Sequence, residues 1–178
     1  MKYIKTDIEG PVIIEPRVFE DERGYFFESF REDEFKANVA DVVFVQDNES
    51  LSQRRGVLRG LHFQKGDAAQ AKLVRVVRGA VQDVAVDIRE GSPTFGQYIT
   101  VLLDANSHRM LYIPRGFAHG YAVLEDETVF QYKCDGYYAP AAEGSYRWND
   151  PAFGIDWMLE PDEVILSKKD AAAPFLKD

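Results

Sequence analysis

The sequence predicts an all-β protein, a sandwich or barrel of antiparallel strands with a few short helices at its edge. Short runs of β-branched and aromatic residues recur along the chain, separated by Gly, Pro, Asn or Asp. A spacing of roughly 8–12 residues between such runs is typical of antiparallel sandwiches and barrels. Strands are predicted over Val12–Val18, Val42–Gln46, Val57–Gln64, Leu73–Val77, Val81–Ile88, Tyr98–Leu103, Met110–Ile113, Tyr121–Leu124 and Thr128–Cys134.

Two short helices are predicted from capping signals. The segment Ser29-Phe30-Arg31-Glu32 resembles a capping box and predicts a helix over Arg31–Asn38. The segment Ser167-Lys168-Lys169-Asp170 opens a second helix, which Pro174 stops. Strands therefore dominate, and the helices are peripheral.

Composition predicts a single domain over residues 1–178, located in the cytoplasm. The length suits one domain. No apolar stretch approaches the roughly 20 residues of a membrane span, and the segment Met1–Asp7 lacks the apolar core of a signal peptide. The net charge of −9, from 21 basic and 30 acidic residues, disfavours nucleic acid and anionic membranes as partners.

Several polar side chains fall on the apolar faces of the predicted strands. By strand alternation, for example, His62 shares a face with Leu58 and Gly60. The inward set is His62, Lys72, Asp83, His119 and Tyr132. Each residue alone has a structural explanation, such as a satisfied core histidine or a lysine that reaches solvent. Together they indicate a polar, ligand-sized cavity, because buried ionisable groups are costly unless paired or functional.

A metal site in this cavity is disfavoured. The segment Pro114-Arg115-Gly116-Phe117-Ala118-His119 fits the Pro-x-Gly-x-x-His pattern of the cupins, small β-barrels that often bind a divalent metal. A metal-binding cupin also supplies a His-x-His pair, but His62-Phe63-Gln64 has one imidazole. With three histidines and one cysteine in the chain, a set of imidazoles and a carboxylate is hard to assemble. No metal is expected, and no Gly-rich phosphate loop indicates a cofactor.

Segments along the whole chain carry a family resemblance. In order, and with no large insertion between them, they are Asp21–Glu28, Phe44–Asn48, Gly56–Gln64, Ala80–Arg89, Ser92–Gly96, Ile113–Gly120 and Ser167–Pro174. Together they closely resemble the dTDP-4-dehydrorhamnose 3,5-epimerases, metal-free cupins that act in making dTDP-L-rhamnose. The resemblance implies a cupin-type jelly roll, a homodimer and a reaction without a cofactor.

The resemblance also implies roles for individual residues. His62 matches the catalytic base, Asp170 the carboxylate paired with it, and Tyr132 the proton donor on the opposite face of the sugar. Lys72 matches the cation near the sugar's 4-oxo group. The positions implied to contact the nucleotide diphosphate-sugar are Phe19, Arg23, Phe26, Glu28, Gln46, Asp47, Asn48, Arg59, His119, Glu143 and Lys169. Phe26 or Tyr138 is a candidate to stack on the base.

The implied substrate, dTDP-4-dehydro-6-deoxyglucose, explains why these residue types are needed. Its protons at carbons 3 and 5 flank a ketone, so removing either one gives an enolate. His62 suits the base because the reference pKa of histidine, about 6.5, lies close to working pH. Lys72 supplies a positive charge that stabilises the enolate oxygen. Tyr132 is neutral at pH 7 and can donate a proton.

Several alternatives remain open at this stage. The rivals are a mono-epimerase or 3,4-ketoisomerase on the same substrate, a non-catalytic sugar-nucleotide-binding cupin, and a metal-dependent cupin oxygenase.

The roles of individual residues also have alternatives. The capping box alone explains Asp170 without catalysis. Strand alternation points Arg59 away from His62, so Arg59 is expected to reach the ligand from an edge or a neighbouring subunit. Arg23, Arg59 and Lys169 are expected to form a positive mouth for the diphosphate, with Lys168 as the other candidate to Lys169.

Overall fold

The structure, a computed structural model describing residues 1–176, consists mainly of β-strands. The strands are β1 Lys2–Lys5, β2 Val12–Glu15, β3 Phe19–Asp21, β4 Gly24–Phe26, β5 Gln46–Ser52, β6 Leu58–Gln64, β7 Lys72–Arg78, β8 Ala80–Asp87, β9 Tyr98–Asp104, β10 Met110–Ile113, β11 Phe117–Val123, β12 Thr128–Cys134 and β13 Glu143–Ser145. The helices are α1 Glu32–Asn38 and α2 Lys168–Ala171, and short 3-10 turns cover Gly66–Ala68 and Pro140–Ala142.

The strands form two antiparallel sheets that pack face to face. The six-stranded sheet has the order β1-β2-β10-β7-β12-β5, and the five-stranded sheet has the order β13-β6-β11-β8-β9. Strands β3 and β4 form a separate hairpin. The predicted all-β jelly roll with short peripheral helices is confirmed.

Apolar side chains fill the space between the sheets and cover their outer faces. The inner layer joins Val74, Val76 and Phe130 of the six-stranded sheet to Val81 and Tyr121 of the five-stranded one. Outside the six-stranded sheet, Phe35 of α1 packs against Leu73 and Tyr112. The inner layer is therefore apolar over most of its extent.

The two predicted helices are present, but one of the predicted caps is wrong. Helix α1 begins after Arg31, and no side-chain hydrogen bond from within the described residues caps it, so Ser29 does not serve as its cap. Three acidic residues in the first turn favour this start electrostatically. Helix α2 is capped by Ser167, as predicted. Over residues 1–176, no helix is long and apolar enough to cross a membrane.

The predicted strand Val42–Gln46 is wrong. Residues 42–45 are irregular, and β5 begins at Gln46 and runs to Ser52 along the edge of the six-stranded sheet. One face of β5 meets a polar cavity and the other is exposed, so the strand lacks the apolar alternation that predicts strands. The short strands β1, β3, β4 and β13 were not predicted, because three or four residues carry too little pattern.

Candidate active site

The inward polar residues surround two adjoining cavities between the sheets. The larger has a volume of about 410 Å³ and the smaller about 230 Å³. His62, Lys72 and Tyr132 line both cavities, and His119 lines the larger one. The polar cavity that strand alternation predicts is therefore present.

A bulge in β6 sets the direction of two of the site's side chains. His62 pairs with His119 but Arg59 pairs with Tyr121, so β6 carries one more residue than β11 between these pairs. Gly60 lies in the bulge with φ of +125°. The bulge turns Arg59 and His62 to the same cavity, so the expectation that Arg59 points away from His62 is wrong.

The same bulge corrects the face assigned to Leu58. Leu58 packs against Ala122 and Leu159 on the outside of the five-stranded sheet. His62 therefore does not share a face with Leu58, although it does point inward as predicted. Alternation counted across a bulge gives the wrong face, because the extra residue reverses the count.

His62 and Asp170 form a close pair at one wall of the cavity. The distance from His62 Nε2 to Asp170 Oδ1 is 2.6 Å, and Asp170 is 4% exposed. Burial raises the pKa of Asp170, but hydrogen bonds from His62 and Ser167 outweigh burial and leave it lowered. Ser167 Oγ lies 2.7 Å from Asp170 Oδ2 and 3.0 Å from the Asp170 backbone N. Asp170 thus belongs to the helix cap and also pairs with His62, so the two explanations do not compete.

Tyr132 and Lys72 enter the cavity from the opposite sheet. Tyr132 lies on β12 and Lys72 on β7, both in the six-stranded sheet, whereas His62 lies on β6 of the five-stranded sheet. Lys72 Nζ lies 5.8 Å from the centre of the Tyr132 ring. Burial raises the pKa of Tyr132 to about 12, so its hydroxyl keeps its proton at neutral pH. Burial lowers the pKa of Lys72, and nearby negative groups partly offset this effect.

His119 is held by a second carboxylate, that of Asp83, which was predicted to belong to the inward set but, over residues 1–176, is absent from the linings of the two cavities. Its Nε2 lies 3.1 Å and 2.9 Å from the two carboxylate oxygens of Asp83, which is fully buried. Burial lowers the pKa of His119, and Asp83 opposes that effect. The neutral imidazole is therefore favoured.

Two basic side chains lie at the mouth of the larger cavity. Arg59 and Lys169 both line it, and Arg59 Nε is 3.4 Å from Ser52 Oγ. Lys169 Nζ contacts Glu143 Oε1 at 2.6 Å, and this pair lowers the pKa of Glu143. Among the described residues that line the two cavities, Lys169 is present and Lys168 is not.

Polar and aromatic groups line the smaller cavity. Gln46, Asn48, Glu143 and Tyr138 contribute to its wall. Tyr138 is positioned by its backbone N–H, which donates to Gln46 Oε1 at 3.0 Å. Asp47 lies between these residues in sequence but projects from the outer face of β5, where it pairs with Lys133 at 2.9 Å. Within residues 1–176, Asp47 is absent from the linings of these two cavities, because neighbouring residues of a strand face opposite sides.

Four predicted contacts lie on or beside the β3–β4 hairpin, apart from the cavities. Among the described residues, the linings of the two cavities include none of Phe19, Arg23, Phe26 and Glu28. Phe19 and Phe26 are 51% and 67% exposed, and Arg23 pairs with Asp21. Over residues 1–176, Arg23 therefore does not line the cavities of its own chain that Arg59 and Lys169 line, and its place in a shared positive mouth stays a prediction.

Several residues that line the cavities were missed by the sequence analysis, and two of them contact each other. Ser50 and Tyr121 line the larger cavity, and their hydroxyl oxygens lie 2.9 Å apart. Ser50 lies on β5, which was not predicted, so no alternation was available to assign its face. Tyr121 begins the predicted strand Tyr121–Leu124, but a tyrosine on the inner face of a strand is usually part of the core, so it was not assigned to the site.

The described residues offer no obvious metal centre. Within residues 1–176, no group of three or more His, Cys, Asp and Glu side chains is arranged to hold a metal ion. The expectation that the reaction needs no metal stays a prediction.

Comparison with known proteins identifies the family. The family model described as dTDP-4-dehydrorhamnose 3,5-epimerase matches residues 5–178. The chain belongs to this family. A dTDP-4-dehydrorhamnose 3,5-epimerase of Salmonella typhimurium is 54% identical over 99% of this chain and 96% of its own length.

Solved structures of dTDP-4-dehydrorhamnose 3,5-epimerases and related enzymes share this fold. One from Elizabethkingia anophelis superposes with a TM-score of 0.93 at 51% identity, covering 98% of this chain and 96% of its own. The dTDP-6-deoxy-D-glucose-3,5-epimerase of Legionella pneumophila superposes with a TM-score of 0.94 at 50% identity, covering 98% of this chain and 92% of its own. The Legionella structure is a complex with dTDP-4-keto-L-rhamnose.

Proposed function

We propose that this protein inverts carbons 3 and 5 of dTDP-4-dehydro-6-deoxyglucose and so forms dTDP-4-dehydro-L-rhamnose, in the synthesis of dTDP-L-rhamnose. It is thus an isomerase, in agreement with its family. The observation that carries the proposal is that His62 and Tyr132 enter one cavity from opposite sheets. A base and an acid on opposite faces of a sugar ring invert the carbon between them.

His62 removes the proton in this mechanism. A carboxylate oxygen only accepts hydrogen bonds, so the 2.6 Å contact has Nε2–H donating to Asp170. The neutral ring then carries its lone pair on Nδ1, which takes the proton from carbon 3 or carbon 5. Asp170 stabilises the imidazolium that results. The electron pair of the broken C–H bond moves into the ketone and forms an enolate.

Lys72 and Tyr132 complete the inversion. The ammonium of Lys72 stabilises the enolate oxygen, and its position near the Tyr132 ring puts it on the acid's side of the cavity. Tyr132 donates its hydroxyl proton to the carbon from the face opposite His62 and becomes a phenolate. Proton exchange with solvent then returns one proton to Tyr132 and removes one from His62, so each inversion leaves the enzyme unchanged.

The nucleotide part of the substrate is assigned to the remaining groups of the cavities. Arg59 and Lys169 supply positive charge for the diphosphate in a protein whose net charge is −9. Gln46, Asn48 and Tyr138 line the smaller cavity and suit the polar edge and flat face of thymine.

We also propose that residues 1–178 act as one domain and that the protein works as a homodimer. The dimer would reconcile two observations about the β3–β4 hairpin. The family resemblance implies that Phe19 and Arg23 contact the ligand. Over residues 1–176, however, neither residue lines the two cavities of its own chain. The hairpin is exposed and carries aromatic residues, so it is suited to reach the cavity of a second copy. The cytoplasmic location stays a prediction, which cell fractionation would test.

The test of the proposed function is product identification. The purified protein is incubated with dTDP-4-dehydro-6-deoxyglucose, and the product is trapped by a 4-keto reductase with NADPH and identified by NMR. We expect dTDP-L-rhamnose, and loss of that product in His62→Ala. Inversion at a single carbon would instead identify a mono-epimerase, and a displaced ketone a ketoisomerase. Binding without turnover would identify a non-catalytic sugar-nucleotide-binding protein.

A further inference from the structure

Strand β8 buries two carboxylates that differ in their partners. Asp87 accepts hydrogen bonds from Arg89, Ser92 and Thr94, so its charge is neutralised away from the cavities. Asp83 is equally buried, but its hydrogen-bond partner is one imidazole, that of His119. Burial of a carboxylate costs free energy that a single neutral imidazole does not fully offset. The proposed mechanism leaves Asp83 without a role, which calls for an explanation.

The contact with Asp83 fixes which nitrogen of His119 carries the proton. Because carboxylate oxygens accept, Nε2–H donates to Asp83, and the lone pair of the neutral ring lies on Nδ1. Over the described residues, Nδ1 has no hydrogen-bond partner. Every fully buried side-chain nitrogen and oxygen in that part of the chain does have one, so Nδ1 is not fully buried. Nδ1 is therefore open to the cavity that His119 lines, as an acceptor for a hydroxyl group.

The same carboxylate acts on Lys72. The charged and titratable groups around Lys72 come from every neighbouring strand: Cys134 and Tyr132 on β12, Asp83 on β8, Glu143 on β13, His62 on β6 and His119 on β11. The two carboxylates in this set favour the ammonium, and Glu143 is already engaged by Lys169 at 2.6 Å. Cys134 comes first among the groups that favour the ammonium and Asp83 second, and Asp83 is the carboxylate of this set that has no lysine or arginine partner among the described residues.

We propose that Asp83 is a positioning residue of this reaction, which holds His119 as a hydrogen-bond acceptor for a sugar hydroxyl and stabilises the Lys72 ammonium beside the enolate. The inference rests on the proposed function, because it names what supports the groups that bind the sugar and its enolate. Asp83 acts through these two residues and does not itself exchange a proton with the substrate.

The first test measures the tautomer of His119 directly. The protein is labelled with ¹⁵N-histidine, and its three imidazoles are assigned with His108→Gln and His119→Gln variants. In the ligand-free protein near pH 8, we expect His119 to show a protonated Nε2 and a pyridine-type Nδ1 shift, and Asp83→Asn to lose this pattern. A protonated Nδ1 in the wild type would overturn the proposal. This test needs no substrate, so it is independent of the proposed activity.

The second test separates positioning from simple loss of a buried charge. Asp83→Asn is compared with Asp87→Asn, which removes an equally buried carboxylate from the same strand. Thermal unfolding of both variants identifies the temperature range in which each is folded. We expect Asp83→Asn to lower kcat by at least about tenfold and to move the alkaline limb of kcat to lower pH. Asp87→Asn should keep the wild-type pH profile, and equal profiles for the two variants would overturn the proposal.

Discussion

At the scale of single residues, the surroundings of His62 and Tyr132 suit them to opposite tasks. His62 is bound by a carboxylate that fixes its tautomer and stabilises its charged form. Burial raises the pKa of Tyr132 to about 12, so its hydroxyl keeps its proton. One residue is thereby prepared to accept a proton and the other to release one only to a strong base such as an enolate carbon.

Replacing the base should slow proton removal from both carbons of the substrate. His62→Ala removes the imidazole but leaves Lys72 and Tyr132 in the opposite sheet, so the ligand should still bind. We expect kcat to fall by roughly 10²–10⁴-fold, the usual contribution of a general base. Stopped-flow or coupled-assay rates, together with calorimetric titration of dTDP, measure the two effects. Epimerisation at near wild-type rate would remove His62 from the mechanism.

Lys72 should set the alkaline limit of activity. Its pKa is lowered by burial, so its ammonium is lost as pH rises through a value below the ordinary lysine value of about 10.4. We expect kcat to fall with rising pH in that range. In Lys72→Arg the guanidinium stays charged, so the alkaline limb should move to higher pH even if kcat is reduced. An unchanged alkaline limb in Lys72→Arg would show that another group titrates.

At the scale of elements, the β6 bulge and helix α2 assemble the proton-transfer site. The bulge turns Arg59 and His62 to one cavity, and α2 presents Asp170 to His62 from the far end of the chain. The close approach of β6 to β11 requires glycine at position 60. A Cβ there would lie 2.5 Å from Gly120 Cα and 2.8 Å from the His119 carbonyl oxygen.

The bulge can be tested with a pair of glycine variants. Gly60 and Gly24 have nearly equal φ angles of +125° and +126°, but a Cβ at Gly24 would meet no atom within 4 Å. Both alanine variants carry the backbone strain, and only Gly60→Ala adds a backbone clash. We expect Gly60→Ala to destabilise the protein by about 2 kcal/mol more than Gly24→Ala. Chemical denaturation of both variants measures the difference, and equal losses would show that the close approach costs nothing.

The sequence predicted the central strands well and the edge elements poorly, because a strand is recognised in a sequence by the burial of one of its faces. Strand β12 is bounded as predicted, over Thr128–Cys134, because one of its faces is buried in the core. Strand β5 was missed, since hydrogen bonding to β12 forms it rather than burial of its own side chains. The face of Arg59 was assigned wrongly because alternation cannot reveal a bulge. Contacts between distant segments, such as His62 with Asp170, came from the family resemblance.

At the scale of the whole molecule, a protein with an acidic net charge must gather positive side chains locally in order to bind an anionic ligand. Arg59 and Lys169 supply local positive charge at one cavity. Arg23 lies on the hairpin and, over residues 1–176, outside the linings of its own chain's two cavities, so in the proposed homodimer it would add to the site of the other copy. The homodimer is therefore a part of the proposed function that affects the binding site itself.

Mixed dimers test whether the hairpin of one subunit completes the site of the other. Arg23→Ala and His62→Ala chains are each purified with a different tag, mixed after partial denaturation and refolded. If Arg23 acts across the interface, the heterodimer holds one intact site and should show about half of the wild-type activity. Heterodimers no more active than the two parent variants would contradict this arrangement. A mass of 20.3 kDa in solution, that of a single chain, would contradict the dimer itself.

The central claim is that the two sheets supply a base and an acid to opposite faces of one sugar. The most direct measurement is proton NMR of Tyr132→Phe with dTDP-4-dehydro-6-deoxyglucose in heavy water. We predict that deuterium enters next to the ketone while the configuration is retained, because His62 still exchanges its proton and the acid is missing. Deuterated product with inverted carbons, formed at the wild-type rate, would contradict the account.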